Sequence, residues 1–551
     1  MTRKPRITAA SLQALIIGLL TLAATEADAA LQFLHTEGQN IVNESGQKIL
    51  LRGVSLGNWL LPEGYMWKFG GRGDRPRRIE KIVSDLIGPE NAARFWREYR
   101  RNYITEVDIR RIAELGFNSV RPALNARLFL TEGEHPHYVR AGFAILDNLV
   151  RWCGEYGVYV IIDMHAAPGG QTGANIDDSR NDDPELFSHP QNQDRLVQLW
   201  VKIASRYEDD PAVAGYDLLN EPLPERTGAA AKYKSQLEPL YRRITQAIRQ
   251  VDTNHLIIVE GANWANDWSV FTKPFDPNLV YQFHYYCWDH PDHLNDISRY
   301  LRYRNKFNAP VWVGETGEKD NPIYWATTDY FEANNIGWSF WPWKKMDARN
   351  APYSYRPPKN WDEIAAYSRG GGRPSPELAQ EAFNQLLQNI RLENCQYFPD
   401  VVNSILRRVP GKVEAEDYGH RGLNVSYYLE DCSQKSKYYR RSEPVPVELI
   451  RSARNRWSSQ QAIRLGSGEW TAYTVGSRQS RQFQASVRAE AATLPAAFDL
   501  SVNGHAQEIR MDQAKEWREL NLQPVTLSTG ANQVKLRVTS GTVSFDWMRF
   551  E

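Results

Sequence analysis

The feature that most constrains this chain is an alternation that repeats between residues 40 and 390. Eight short, almost wholly apolar runs rich in β-branched residues follow one another: Ile49–Ser55, Phe117–Arg121, Val158–Asp163, Val213–Leu219, Leu256–Val259, Leu279–His284, Val311–Gly314 and Ile336–Trp341. Between them lie stretches of helical periodicity, including Ile104–Leu115, Tyr138–Tyr156, Asn192–Tyr207, Tyr233–Val251, Leu294–Phe307 and Tyr324–Asn334. A strand that is apolar at nearly every position is covered on both faces, and the intervening helices supply that cover. Eight such units predict an α/β chain whose parallel sheet closes into a (β/α)₈ barrel. An open, doubly wound sheet is the rival. No Gly-x-Gly-x-x-Gly follows the first run, which weakens the nucleotide-binding form of that rival.

Three segments are longer than a turn requires: Gly64–Asn102, Ala166–Pro190 and Lys344–Pro376. Each follows a strand, so in a barrel each lies at the face where the βα-loops gather. A helix is expected from Pro376 to Ile390. Beyond Pro410 the pattern changes to short alternating runs, such as Trp470–Val475, Phe498–Val502 and Val543–Phe550, with an Asn503-Gly504 hairpin signal. These predict an all-β jelly-roll sandwich over residues 411–551, joined to a catalytic domain over 30–390 by a linker at 391–410.

At the N-terminus, Arg3, Lys4 and Arg6 precede an apolar stretch, Leu12–Leu22, and then Ala27-Asp28-Ala29. This is the form of a secretory signal peptide over residues 1–29, so a secreted chain beginning at Ala30 is expected. No later segment has the ~18 apolar residues of a membrane span. Export permits disulfides, and Cys395 and Cys432 could pair across the domain junction, whereas Cys153 lies in a helical pattern as a buried apolar residue. Lys plus Arg equals Asp plus Glu at 66 each, and a chain with no net positive field is unsuited to phosphate-driven nucleic-acid binding. With no coiled-coil pattern, a monomer is expected.

The chemistry stands at the exits of the predicted strands. Arg121 ends the second run, His165 follows the third, and Asn220 and Glu221 follow the fourth. His284 and Tyr286 end the sixth, Glu315 follows the seventh, and Trp341 ends the eighth. One polar residue at an apolar strand's exit is ordinarily a satisfied core group or the start of a loop. Six exits so occupied converge in a barrel on one mouth. Two carboxyl groups among Arg, His, Asn, Tyr and Trp suit cleavage of a glycosidic bond, where one protonates the leaving oxygen and the other attacks the anomeric carbon. Arg121 and Tyr286 would keep Glu315 ionised and oriented, and Asn220 would bond a sugar 2-hydroxyl. His165 and His284 would position these groups, and Trp341 would stack on the sugar.

On LRGVSLGNWL (51–60), FNSVRP (117–122), DMH (163–165), LLNEP (218–222), HYY (284–286), GETG (314–317) and SFWPWK (339–344), the chain resembles glycoside hydrolase family 5 from about Leu31 to Ile390. The resemblance implies a retaining enzyme with Glu221 as acid/base and Glu315 as nucleophile. By the same resemblance Arg121, His165, Asn220, His284, Tyr286 and Trp341 bind substrate. It implies a cis peptide after Trp341, no cofactor for catalysis, and a polysaccharide substrate, β-glucan before β-mannan. A polysaccharide-binding protein without activity is a further alternative, against which the intact Glu221 and Glu315 argue. In HYYCWDHPDH, residues His284, Cys287, His290 and His293 have spacings open to zinc, but His284 is already employed and the rest read as loop residues.

In the C-terminal region, VEAEDY (413–418), GEWTAYTV (468–475) and FDWMRF (545–550) resemble carbohydrate-binding modules of families 6 and 35. That resemblance implies a structural calcium ion held by Glu414, Glu416 and Asp546, with Trp457 and Trp517 as candidates for a stacking surface. It does not extend over the basic stretch from Cys432 to Asn455.

Overall fold

The computed structural model describes residues 30–288, 294–433, 435, 436, 439–450 and 461–551. The expected signal peptide, His290, His293 and Trp457 lie outside the described residues. An antiparallel hairpin, β1 (Leu34–Glu37) and β2 (Asn40–Asn43), opens the described chain. Eight parallel strands follow: β3 (Arg52–Leu56), β4 (Ser119–Asn125), β5 (Tyr159–Ala166), β6 (Val213–Asp217), β7 (Leu256–Glu260), β8 (Leu279–Tyr285), β9 (Val311–Gly317) and β10 (Gly337–Trp341). They close in the order β10-β3-β4-β5-β6-β7-β8-β9, so the open-sheet alternative is excluded.

The two-residue period of the strands sets which side chains fill the barrel. Leu256 and Ile258 of β7, Tyr159 and Ile161 of β5, and Val280 of β8 form an apolar plug with Trp312, Leu51 and the hairpin residues Leu34 and Ile41. Two residues further along the same faces come Glu260, Asp163 and Gln282, all buried. The lower barrel is therefore hydrocarbon and the upper layer is charged. Cross-strand register brings Asp163 beside Asp217, Glu260 beside Gln282 and His284 beside Glu315.

The long segments are largely folded. The segment from residue 64 carries helices Pro76–Ile87 and Pro89–Tyr103, the second running one residue past 102, and they meet at Gly88 with φ 82°. The segment after β5 is held by two buried carboxylates. Asp177 accepts hydrogen bonds from the Thr172 and Ser179 backbones and hydroxyls. Asp178 accepts from the Arg77 backbone and Asn125, and pairs with Arg127 at 2.7 Å. Helix Pro376–Asn389 lies where expected.

The connection at 391–410 is more ordered than a linker. It carries helix Pro399–Ile405, which packs on helix Asn321–Ala333. Trp325 and Ala326 of the latter enter the core of the C-terminal region, so the two parts share apolar contacts. That region comprises two main six-stranded sheets, with Val413, Tyr473, Phe498, Leu536, Phe545 and Met548 in the core between them. Asn503 and Gly504, at φ 49° and 86°, make the tight turn between Ala496–Val502 and His505–Met511. Cys153 is buried as expected, but Cys395 and Cys432 do not pair: both thiols are free, and Cys395 donates to the Arg391 carbonyl at 3.3 Å. Among the described residues no helix is long and apolar enough to cross a membrane.

Candidate active site

The strand exits meet around Arg121, which is wholly buried. Its guanidinium donates to Glu315 Oε1 at 2.7 Å, Asp217 Oδ2 at 2.9 Å, Asn220 Oδ1 at 2.8 Å and Glu260 Oε1 at 3.1 Å. Because the Asn220 carbonyl faces Arg121, its amide nitrogen faces His165 Nε2 at 3.2 Å. That leaves His165 Nδ1–H to donate to Asp163 Oδ2 at 2.7 Å. Burial lowers His165 to about 4, which agrees with a neutral ring that accepts at Nε2. The Trp341 indole stacks on this ring at 5.3 Å and 8°, and its Nε1 donates to Tyr65 Oη at 2.9 Å. The Trp341–Pro342 peptide is cis, as expected. Gly57 passes so near that a Cβ there would lie 2.5 Å from the indole.

Glu221 and Glu315 face each other across His284. The three residues each bring one oxygen or nitrogen within 4.8 Å of the others. His284 Nδ1 is 2.7 Å from Glu221 Oε1 and 3.5 Å from Glu315 Oε2. Tyr286 Oη donates to Glu315 Oε2 at 2.9 Å, so both Glu315 oxygens are held. Glu221 adopts φ 44°, a left-handed conformation costly for a non-glycine residue, and its N–H donates to Glu260 Oε2 at 2.7 Å. An oxygen of each carboxyl group within 4.8 Å of the other agrees with the ~5–5.5 Å group separation of retaining enzymes and is short of the ~6.5–9.5 Å of inverting ones.

Five carboxyl groups (Asp163, Asp217, Glu221, Glu260 and Glu315) surround two cationic groups, Arg121 and His284. Burial pushes Asp163 up to about 8 and Asp217 well above the carboxylate range, despite Arg121. Burial alone would discharge His284, yet Glu260, Glu315 and Glu221 outweigh it and raise His284 well above the ordinary histidine range. Glu315 departs from expectation in one respect. Arg121 and Tyr286 orient it as foreseen, but burial raises its carboxyl above the usual range against the pull of His284 and Arg121.

All eight candidate residues of the barrel thus meet at one mouth. Others were missed. Glu260 ends β7, one residue beyond the run read as Leu256–Val259, where the exit rule applied to six other strands would have found it. Beside Trp341, Tyr65 Oη donates to Glu318 at 3.1 Å, and buried Glu63 has its carboxyl raised well above the usual range by burial and by Glu315. On the other side a cavity of about 570 Å³ reaches Glu221 but not Glu315. Trp264 and Trp288 line it. Trp288 stacks on Tyr286 at 4.3 Å, and the Arg226 guanidinium lies 4.8 Å from the Trp264 ring centre. Asn263, Trp264 and Ala265 are all left-handed, with φ 51°, 60° and 67°, which no sequence signal announces.

The C-terminal candidates influence one another electrostatically, but their oxygens do not gather within 4.8 Å of one another as the ligand atoms of Glu221, His284 and Glu315 do. Glu414, Glu416 and Asp546 are buried, with Asp417 beside them. Burial and mutual repulsion push Glu414 up to about 7 and Glu416 well above its range. Lys412 pairs with Glu414 at 2.5 Å and Arg488 pairs with Asp546, while Glu416 Oε2 has no hydrogen-bond partner. Carboxylate oxygens are the donors a hard cation takes, but those of Glu414 and Asp546 are engaged by Lys412 and Arg488. Trp517 is half-buried, with Arg488 5.2 Å from its ring centre.

A family profile for cellulases, glycosyl hydrolase family 5, matches residues 85–347. A β-xylosidase of Phanerodontia chrysosporium is 30% identical over 369 residues, which cover 58% of this chain and 74% of the relative. A probable glucan 1,3-β-glucosidase A of Emericella nidulans is 28% identical over 355 residues, covering 54% and 86%. Endoglucanase C of Acetivibrio thermocellus is 29% identical over 195 residues, covering 35% and 53%. With a closed (β/α)₈ barrel and facing carboxyl groups at its mouth, the chain belongs to glycosyl hydrolase family 5 and is a glycoside hydrolase of the retaining β-glycosidase kind.

Proposed function

We propose that this chain is a secreted enzyme that hydrolyses a β-linked glycan, β-glucan first and β-xylan second, with Glu315 as nucleophile and Glu221 as acid/base. One observation carries the assignment: Glu315 is fixed at both oxygens by Arg121 and Tyr286 and faces Glu221 across His284. The Glu315 carboxylate attacks the anomeric carbon from the α face. The glycosidic C–O bond breaks as Glu221 gives its proton to the leaving oxygen, and an α-glycosyl ester forms on Glu315. Glu221 then takes a proton from water, whose oxygen attacks from the β face and expels the Glu315 carboxylate. In this reading the second amide hydrogen of Asn220 donates to the sugar 2-hydroxyl, and Trp341 offers a ring face.

The cavity beside Glu221 lies on the leaving-group side, because the acid must reach the departing oxygen. Trp264 and Trp288 there suit the apolar faces of sugar rings. Two of the relatives named above are glucan-active by name, and the xylosidase supports the second reading. A reducing-sugar assay on laminarin, mixed-linkage glucan, cellulose, xylan and mannan tests it. Turnover of a β-glucan or xylan well above mannan is expected, and turnover confined to mannan would contradict it. The first residue of the exported chain tests secretion, with Ala30 expected.

The C-terminal region is in this reading a carbohydrate-binding module with a structural calcium ion at Glu414, Glu416 and Asp546. Such an ion, bound only by the folded state, raises stability with its concentration, by ~2.7 kcal/mol at a hundred times its dissociation constant. Chelation should therefore lower the melting temperature, added calcium should restore it, and Glu416→Gln should remove the dependence. A melting temperature indifferent to calcium would contradict the site.

A further inference from the structure

Glu260 is a buried carboxylate that the double displacement does not use, yet it touches three groups that the displacement needs. It ends β7, where Tyr241 Oη fixes its carbonyl at 3.0 Å. Oε2 accepts the Glu221 N–H at 2.7 Å and so holds the left-handed turn that presents the acid/base. Oε1 accepts from Arg121 Nη2 at 3.1 Å and from Gln282 Nε2, and lies 3.3 Å from His284 Nε2. The other ring nitrogen of His284 faces Glu221 and Glu315. A neutral imidazole can donate from only one nitrogen. Gln282 Nε2 also lies 3.4 Å from His284 Nε2, but its two amide hydrogens go to Asp217 and Glu260, so with carboxylate oxygen before both ring nitrogens the imidazolium is the form that satisfies both.

We propose that Glu260 is a positioning residue: through the Glu221 backbone and His284 Nε2 it fixes the acid/base and keeps a charged imidazolium between Glu221 and Glu315. The inference rests on the roles proposed for those two residues. The groups facing His284 are Glu260 from β7, Glu221 beyond β6, Glu315 from β9 and Gln282 from its own strand, with Arg121, Asp163 and His165 behind them. Of the carboxylates, Glu260 contributes most to holding the histidine charged. Loss of that charge at alkaline pH removes the cation between Glu221 and Glu315 and leaves one N–H to be shared between them and Glu260, so activity falls as pH rises through the His284 titration. With Glu260 neutralised, the titration and the alkaline limb both move toward acid.

The test is the pH profile of kcat/KM for Glu260→Gln, with Glu260→Asp as the charge-conserving control. Gln keeps an acceptor for the Glu221 N–H but loses the charge. Its alkaline limb should move acidward by at least about one pH unit, while Asp should keep a limb near the wild-type position at reduced rate. A slower Gln variant with an unmoved limb would show a merely structural role and overturn the proposal. Nitrogen-15 spectra of the wild-type imidazoles, with His284 assigned by loss of its signal in His284→Asn, give a reading that needs no Glu260 variant. Both His284 nitrogens should be protonated at pH 7, and a neutral ring would overturn the proposal. The spectrum tests the Glu260 contact whatever the roles of Glu221 and Glu315, so failure of the one is distinguishable from failure of the other.

Discussion

Replacing Glu315 by Ala should abolish hydrolysis, a loss on the order of 10⁴-fold or more, because it removes the carboxylate that attacks the anomeric carbon in this account. Arg121 and Tyr286 would remain, and the vacated space beside Arg121 is placed for a small anion. Azide bound there should attack from the α face of an activated β-glycoside and give the α-glycosyl azide. Hydrolysis retained in Glu315→Ala, or a β-azide from it, would remove Glu315 from the nucleophile's role. The wild-type acid limb bears on the same residue. Since burial raises the Glu315 carboxyl, activity should be lost as pH falls through a value above the ordinary carboxylate range.

Replacing Glu221 by Ala should separate the two chemical steps. Protonation of the leaving oxygen is worth about 10²–10⁴-fold where the leaving group is poor, so an unactivated glycan should be turned over that much more slowly. An aryl glycoside with an acidic phenol needs little protonation and should still form the ester on Glu315. Without the base to activate water, that ester should accumulate and appear as a burst of phenol. Azide, which needs no base, should then discharge it from the β face and give the β-glycosyl azide. An α-azide, or equal losses on activated and unactivated substrates, would show that Glu221 is not the acid/base.

Much of the barrel is legible in the sequence, because strands buried on both faces must be apolar throughout, and a charged residue ending such a run needs a reason to be there. That rule found Arg121, Glu221, His284 and Glu315. It missed Glu260 only because the run LIIVE was closed one residue early. The two helices of the segment from residue 64 were legible in principle. Ile79, Ile82, Val83 and Leu86 are buried at helical spacing, but the surrounding Arg and Lys residues make the stretch read as a charged loop. The folded connection at 391–410 was illegible for a different reason. Helix Pro399–Ile405 is too short to show a period, and packing on helix Asn321–Ala333 sustains it. Trp264 stands in a left-handed run that tertiary hydrogen bonds impose: the Asn263 N–H donates to the Leu223 carbonyl, and its Oδ1 accepts from the Glu225 N–H. Nothing in local propensity encodes that.

The most direct test of the account is the anomer first released by the wild-type enzyme, followed by proton NMR within the first minutes of hydrolysis of a β-linked oligosaccharide. With an oxygen of Glu221 and of Glu315 within 4.8 Å of each other, short of the ~6.5–9.5 Å that admits a water, the account predicts two displacements and the β-anomer as first product. The α-anomer should grow in only as mutarotation proceeds. An α-anomer as first product would mean a single displacement by water, and would contradict the double displacement at Glu315.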